Sequence, residues 1–181
     1  MSIFRMTSIR VSTFALASML FASVAVFGQG GEQRRQDLPA GCEHLEADGN
    51  ERVAFKVYAE GFQVYSWNGS AWGLVGPDAI LYANANYRGK VGTHYGGPTW
   101  ESNSGSYVKG TNPQRCTPDP DSVQWLLLDV SETGGSGIFN GVTHIQRINT
   151  AGGKAPAEAG TFIGEEARIP YTTEYYFYKF Q

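Results

Sequence analysis

Three residues with useful side-chain chemistry surround one glycine-rich turn, 96–98. His94 precedes this turn, and Trp100 and Glu101 follow it. A histidine exchanges protons near neutral pH, an indole offers a flat surface for stacking, and a carboxylate anchors polar groups. Gly92 lies on the same strand face as His94, where a missing side chain leaves room for a ligand. We therefore predict a ligand-binding pocket lined by His94, Trp100 and Glu101. The alternative is a sharp turn that holds a hydrogen-bonded histidine beside a core tryptophan.

Two further candidates lie on one strand of the second half. Arg147 shares a strand face with Ile145, where it is placed to bind a carboxylate through two parallel hydrogen bonds. A structural ion pair is the alternative for this arginine. His144 lies on the other face with Ile148, which indicates a hydrogen-bonded core histidine. We add Arg147 to the candidate ligand-binding residues.

Motifs that mark catalysis or metal binding are missing from the sequence. Gly153 and Lys154 lack the upstream glycine of a phosphate-binding loop, and no serine lies in a Gly-x-Ser-x-Gly turn. His94 and His144 are far apart in the sequence, and neither has the close second ligand that a metal site needs. We predict no catalytic residue, no metal site and no cofactor. The four tryptophans, with ten tyrosines, suit either a sugar-binding surface or core packing.

The elements that position these residues are short strands. Aromatic and β-branched residues alternate with polar ones, and turn residues interrupt them at short intervals. The continuous apolar stretch Trp125 to Leu128 is typical of a strand buried on both faces, and the proline-rich segment Thr111 to Asp121 predicts a loop. The pattern predicts an all-β, antiparallel β-sandwich or flattened barrel of about nine or ten short strands. The predicted strands are 53–58, 62–67, 71–75, 79–83, 90–95, 99–102, 106–109, 123–130, 141–149 and 171–180.

The first residues have the order of a secretory signal peptide. Arg5 and Arg10 precede an uncharged, largely apolar run, 11–27, and small residues stand at possible cleavage sites. We predict cleavage after Gly28, which leaves Gln29 first. A retained membrane anchor is the alternative, but small residues dilute the run and no basic cluster follows it.

Removal of this signal peptide, 1–28, leaves an acidic chain. Two of the 14 basic residues are lost and all 17 acidic ones are kept, so the mature net charge is −5 (12 against 17). This charge argues against a nucleic-acid partner. We expect a secreted or periplasmic protein without a membrane span, in which a polar, disordered leader, 29–37, precedes a single all-β domain, 38–181.

Four segments together carry a family resemblance, and they are Val91 to Glu101, Trp125 to Leu128, Ile145 to Gly153, and Tyr171 to Tyr178. In this order they resemble the exported family described as domain of unknown function 3455. The resemblance extends from about Gly61 to Tyr178. It implies no activity, because the family has no established function.

One departure from this family concerns cysteine. Similar proteins usually have one cysteine at the position of Trp67 and another near Gly160, and both are absent here, as expected if they normally pair. This chain has Cys42 and Cys116 instead. Export places thiols in an oxidising compartment, and two cysteines allow one intramolecular bond. We therefore predict a disulfide between Cys42 and Cys116.

These features support three functional hypotheses. The first is non-catalytic binding of a small molecule or glycan by an exported domain. The second is a hydrolase-type enzyme that uses His94 and Glu101, although the missing motifs favour a protein that is not an enzyme. The third is a structural protein of the cell envelope. A concave pocket around His94 would favour the first two hypotheses over the third.

Overall fold

A computed structural model describes residues 36–181 of the chain. The predicted signal peptide, 1–28, and all but the last two residues of the predicted leader, 29–37, lie outside the described residues. No helix in the described part is long and apolar enough to cross a membrane. A short 3₁₀ turn, Glu43–Leu45, precedes eight strands. They are β1 Glu51–Trp67, β2 Trp72–Tyr82, β3 Lys90–Tyr95, β4 Thr99–Ser102, β5 Tyr107–Cys116, β6 Trp125–Gly134, β7 His144–Gly152 and β8 Glu166–Phe180.

The eight strands form a closed barrel in which each strand pairs with its sequence neighbours and β8 pairs with β1. Every pairing is antiparallel. The predicted all-β antiparallel class is confirmed, and the architecture is the barrel. The strand count is eight because two pairs of predicted strands are continuous. The runs 53–58 and 62–67 join in β1, and the runs 71–75 and 79–83 join in β2.

The predicted loop Thr111 to Asp121 is wrong in its first half, since β5 continues to Cys116. The pairing of β5 with β6 shifts register between Thr111 and Gln114. This irregularity contains Pro113, and a bulge is where a strand tolerates a proline, because the residue there needs no N–H for the ladder.

The inner face of the barrel holds an aromatic core. Trp100 packs edge-on against Tyr175 and Phe177, with ring centroids 5.1 and 6.2 Å apart. Phe139, from the connection between β6 and β7, packs against Phe177 at 5.0 Å. This connection therefore fills one end of the barrel. The buried inner cluster comprises Val57, Ala59, Leu81, Trp100, Val108, Leu128, Phe139, Val142, Ile145, Tyr175 and Phe177.

A second core lies outside the barrel, where the segment before β1 covers β6, β7 and β8. Leu45 is fully buried there, and its carbonyl accepts a hydrogen bond of 2.7 Å from Nε2 of Gln146. Leu127 belongs to this outer cluster while Leu128 belongs to the inner one, so the predicted two-sided burial of this strand is confirmed. The outer cluster comprises Leu45, Ala47, Val53, Leu127, Ile148, Tyr176 and Tyr178.

The predicted disulfide between Cys42 and Cys116 is confirmed. The two Cα atoms lie 5.5 Å apart, within the usual range for a disulfide. The bond joins the covering segment to the end of β5.

Candidate functional site

A cavity of about 840 Å³ opens at the end of the barrel opposite the Phe139 connection. The connections from β3 to β4, β5 to β6 and β7 to β8 contribute residues to its wall, as do Leu74 to Pro77 of β2. Because an eight-stranded barrel is just wide enough for side chains or for one small ligand, its filling decides whether a site remains. The volume lies within the range of small-molecule sites.

His94 and Trp100 form part of the cavity wall. They are directly opposed on β3 and β4, and their rings stack with centroids 4.2 Å apart. Both are almost fully buried. Nδ1 of His94 lies 2.8 Å from the carbonyl oxygen of Thr99. Because a carbonyl oxygen can only accept a hydrogen bond, the proton of the neutral ring is on Nδ1. Burial lowers the pKa of His94 to about 3; the bond to Thr99 opposes this shift and the charge of Arg147 adds to it.

Two glycines on the inner face have different roles. A Cβ at Gly92 would lie 2.1 Å from the carbonyl oxygen of Glu101, so the missing side chain makes room for β4 and not for a ligand. Our expectation for Gly92 is therefore corrected. At Gly110, a Cβ would lie 2.8 Å from Cδ2 of Leu128 and 3.2 Å from Cζ3 of Trp100. Gly110 therefore gives the indole of Trp100 its space inside the barrel.

Glu101 is not part of this cavity. It follows the inward-facing Trp100 in β4, and successive side chains of a strand point to opposite faces. Its carboxylate accepts a hydrogen bond of 2.7 Å from the hydroxyl of Tyr95. The predicted trio thus separates into two inner residues and one outer residue.

Arg147 does join the cavity, on the inner face of β7. Its Nε and Nη2 donate hydrogen bonds of 3.1 and 2.8 Å to the carbonyl oxygen of Gln124. Arg147 forms no ion pair within the described residues. The structure therefore shows Arg147 bonded to a backbone carbonyl oxygen and not in the structural ion pair that was the alternative.

Gln63, Tyr171 and Tyr175 were not among the residues predicted from the sequence. Nε2 of Gln63, Nε1 of Trp100 and the hydroxyls of Tyr171 and Tyr175 are buried and form no well-aligned hydrogen bond among residues 36–181. Tyr171 lies near Gln63 and Tyr175, and Tyr175 lies near Arg147, so these groups interact weakly with one another. Gln63, Trp100 and Tyr175 line the cavity. Burial raises the pKa of both tyrosines. Period-two alternation in β1 and β8 was the available signal, but it does not say which inward positions face a cavity.

The remaining sequence candidates lie elsewhere. His144 is on the outer face, where Nδ1 lies 2.9 Å from both carboxylate oxygens of the buried Glu51. Trp67 and Trp72 pack together at the end of the first hairpin, and Trp125 packs against the outer cluster. The tryptophans therefore do not form one surface. No group of three or more His, Cys, Asp and Glu residues is placed to hold a metal within 36–181.

Fold and cavity define an eight-stranded up-and-down barrel with one end filled by its own core and an interior cavity at the other. The chain belongs to the family described as "Protein of unknown function (DUF3455)", which matches residues 47–179. The suspected family is therefore confirmed. No curated protein and no solved structure matches the chain.

Proposed function

We propose that this chain is a non-catalytic binding protein that holds a small molecule in the open end of its barrel. The observation that supports this most is the set of buried polar atoms without a well-aligned hydrogen bond on Gln63, Trp100 and Tyr175, all residues of the cavity wall. A buried polar group without a partner costs about 1–3 kcal/mol. A ligand that supplies the missing partners recovers part of this free energy on binding.

The same wall argues against catalysis. The cavity lining contains no Asp or Glu. Its one histidine, His94, has a pKa of about 3 and is a poor base at neutral pH. Glu101, the partner that a hydrolase would need, lies on the other side of the sheet. We therefore favour binding over the hydrolase hypothesis.

A small molecule fits this site better than a glycan does. The planar rings of His94, Trp100 and Tyr175 are at the wall of an interior cavity, and Leu126 and Leu128 add apolar surface. A glycan platform needs exposed aromatic faces in one plane, whereas the tryptophans here are dispersed. A glycan partner is consequently an outcome to test and not our proposal.

We also propose that the protein is exported, secreted or periplasmic, and begins at Gln29. The disulfide between Cys42 and Cys116 supports an oxidising compartment, and the charge and apolar pattern before Gln29 supports a signal peptide. The intact mass of the exported product checks this part of the proposal. A product that still carries residues 1–28 would contradict it.

The binding function is tested with N-phenyl-1-naphthylamine, a neutral aromatic probe whose fluorescence rises in apolar surroundings. We expect saturable binding to the wild-type domain. Leu126→Trp adds bulk to the cavity wall and should weaken binding about tenfold or more, because the cavity loses the volume that the probe needs. The matched control is Phe162→Trp, which changes an exposed aromatic residue outside the cavity and should leave affinity unchanged.

Two results would count against the proposal. The first is an absence of saturable binding by the probe and by a panel of small acids, alcohols and glycans. The second is binding that Leu126→Trp and Phe162→Trp affect equally, which would place the probe on the surface.

A further inference from the structure

The cavity wall has an unusual charge balance for this acidic chain. Arg115, Arg147 and Lys154 are among its lining residues, and no carboxylate is. None of the three forms an ion pair within residues 36–181. Each instead donates to a backbone carbonyl oxygen, at 3.0 Å for Arg115 and 2.6 Å for Lys154. The charge of Lys154 acts on the nearby carboxylate of Asp119, whose pKa it helps to lower. The charge of Arg147 acts instead on the buried hydroxyls of Tyr171 and Tyr175.

A second depression, on the outer face, shows the contrasting arrangement. Arg168 lines it, but its Nη2 lies 2.6 Å from a carboxylate oxygen of Asp78, which lines the same depression. This cation is already neutralised. Of these two depressions, the barrel cavity is therefore the one with a cation, Arg147, that forms no ion pair within residues 36–181.

The polar atoms of the cavity residues without a well-aligned hydrogen bond are mainly donors. Nε1 of Trp100 and Nε2 of Gln63 can only donate, and the hydroxyl of Tyr175 can donate as well. Arg147 uses two of the five N–H groups of a guanidinium on Gln124, and its side chain also lies near the Tyr175 hydroxyl, so N–H groups remain for a further acceptor. Such a wall is complementary to a group that only accepts hydrogen bonds, as a carboxylate does.

The part of the wall formed by His94, Trp100 and Tyr175 is flat and aromatic. Trp100 stacks on His94, and Tyr175 packs edge-on against both rings at 5.1 Å. Because His94 is buried and neutral, this aromatic part of the wall carries no charge. A planar hydrocarbon ring fits such surroundings, and a small polar anion alone would leave them unfilled.

We propose that the ligand is an organic anion with a planar apolar body, of the class of aromatic carboxylates, whose anionic group binds Arg147. This inference rests on the proposed binding function and adds the chemical class of the ligand. A charge-assisted hydrogen bond to a guanidinium is about twice as strong as a neutral one, so the anionic group should dominate selectivity. Arg115 and Lys154 at the mouth attract the same charge.

The test compares 2-naphthoate with 2-naphthamide, two ligands of the same shape that differ in charge. Each displaces bound N-phenyl-1-naphthylamine from the wild-type domain, and we expect 2-naphthoate to bind about tenfold more tightly or better. Arg147→Gln should bring the ratio of the two affinities close to one. Both ligands are measured in each variant, so a general loss of affinity for the cavity cancels in this ratio. Arg168→Gln removes a paired cation of the outer depression and should keep the wild-type ratio.

The outcomes separate the two proposals. If the neutral probe does not bind, the binding function itself fails. If the probe binds but the wild-type domain does not prefer 2-naphthoate, the anionic class is overturned and the binding function stands. If Arg147→Gln keeps the preference, the assignment to Arg147 is overturned. If Arg147→Gln fails to fold, Arg147→Lys takes its place in the test. This variant keeps the charge without the planar donor geometry, and its affinity ratio should lie between that of the wild-type domain and one.

Discussion

At the scale of single residues, the neutral state of His94 links the cavity wall to the stability of the domain. Its ring stacks on Trp100 and bonds the carbonyl oxygen of Thr99. Burial is the main cause that lowers its pKa to about 3, against about 6.5 for an exposed histidine. Below pH 6.5 this residue becomes protonated in the unfolded chain but stays neutral in the folded chain. The contribution of neutral His94 to the free energy of unfolding is therefore fully present above pH 6.5, and it is lost progressively as the pH falls towards 3.

We predict that His94→Phe flattens this acid dependence. The slope that His94 contributes approaches about 1.4 kcal/mol per pH unit within this window, and phenylalanine keeps an aromatic ring but cannot titrate. The free energy of unfolding, measured by urea denaturation between pH 7.5 and 4, should fall less steeply in the variant. Phenylalanine cannot bond Thr99, so the variant is expected to be less stable at pH 7.5.

The matched control for this measurement is His44→Gln, which changes an exposed histidine of the 3₁₀ turn. It should reproduce the acid dependence of the wild-type protein. Equal slopes in His94→Phe and the wild-type protein would show that the buried ring takes up its proton without unfolding.

Sequence reasoning identified some chemistry-bearing residues of the wall by two different routes. Strand alternation placed His94 and Arg147 on definite faces, whereas Trp100 was grouped with His94 because both adjoin the same turn. Glu101 was wrongly grouped with them, because nearness in sequence was taken for a shared face. The roles of Gln63 and Tyr175 depend on long-range pairing around the barrel, which one sequence does not reveal.

At the scale of elements, the segment before β1 acts as a cover for the outer face of the barrel. Leu45 is fully buried against β6, β7 and β8, although only the short turn Glu43–Leu45 holds the segment's own shape. A segment with so few internal hydrogen bonds depends on its attachment points. The disulfide between Cys42 and Cys116 is the covalent attachment of this segment to the barrel.

Replacement of both cysteines, Cys42→Ala with Cys116→Ala, should lower the free energy of unfolding by about 2–4 kcal/mol. The bond closes a sequence separation of 74 residues, so its removal increases the conformational freedom of the unfolded chain. We expect the melting temperature to fall by about 5–15 °C, and amide exchange in residues 42–47 to accelerate. Calorimetry and hydrogen exchange measure the two effects.

Reduction of the wild-type protein is the control for the cysteine variant, and it should give the same melting temperature. If the variant had the same melting temperature as the oxidised wild-type protein, hydrophobic contacts alone would hold the covering segment in place. Acceleration across all strands instead of the segment would indicate that the cover and the barrel unfold as one unit.

Strand existence was predictable, but strand continuity was not. Each apolar run was recognised, yet the residues between the runs, 59–61 and 76–78, were taken as breaks although β1 and β2 continue through them. The cysteine positions of similar proteins show the opposite success. Trp67 lies against Gly160, where an added Cβ would be 2.5 Å from Cγ of the indole. The two positions are therefore neighbours, as the resemblance implied when it suggested that their cysteines pair.

At the scale of the whole molecule, closure of the barrel depends on the long strand β1. It pairs with β2 on one side and with β8 on the other, and Gly61 is paired on both sides, with Ala79 and Tyr171. A Cβ at Gly61 would lie 2.3 Å from the carbonyl oxygen of Asp78 and 2.5 Å from Cα of Ala79. Since these atoms belong to the β2 backbone, no side-chain rotation relieves the contact. The approach of β1 to β2 at this point is therefore open only to a residue without a Cβ.

We therefore predict that Gly61→Ala strains the closed barrel as a whole. Overpacking of this kind costs about 1–3 kcal/mol, and more where backbone must move, so the melting temperature should fall by about 3–10 °C or the variant should fail to fold. Gly73→Ala in β2 is the matched control, because an added Cβ there meets only the Ser66 carbonyl oxygen, at 3.7 Å. Both variants lose the same backbone freedom in the unfolded chain, so the difference between them isolates the contact with β2. Thermal unfolding followed by circular dichroism compares them, and Gly61→Ala with the melting temperature of Gly73→Ala would show that β1 can close the barrel without this approach.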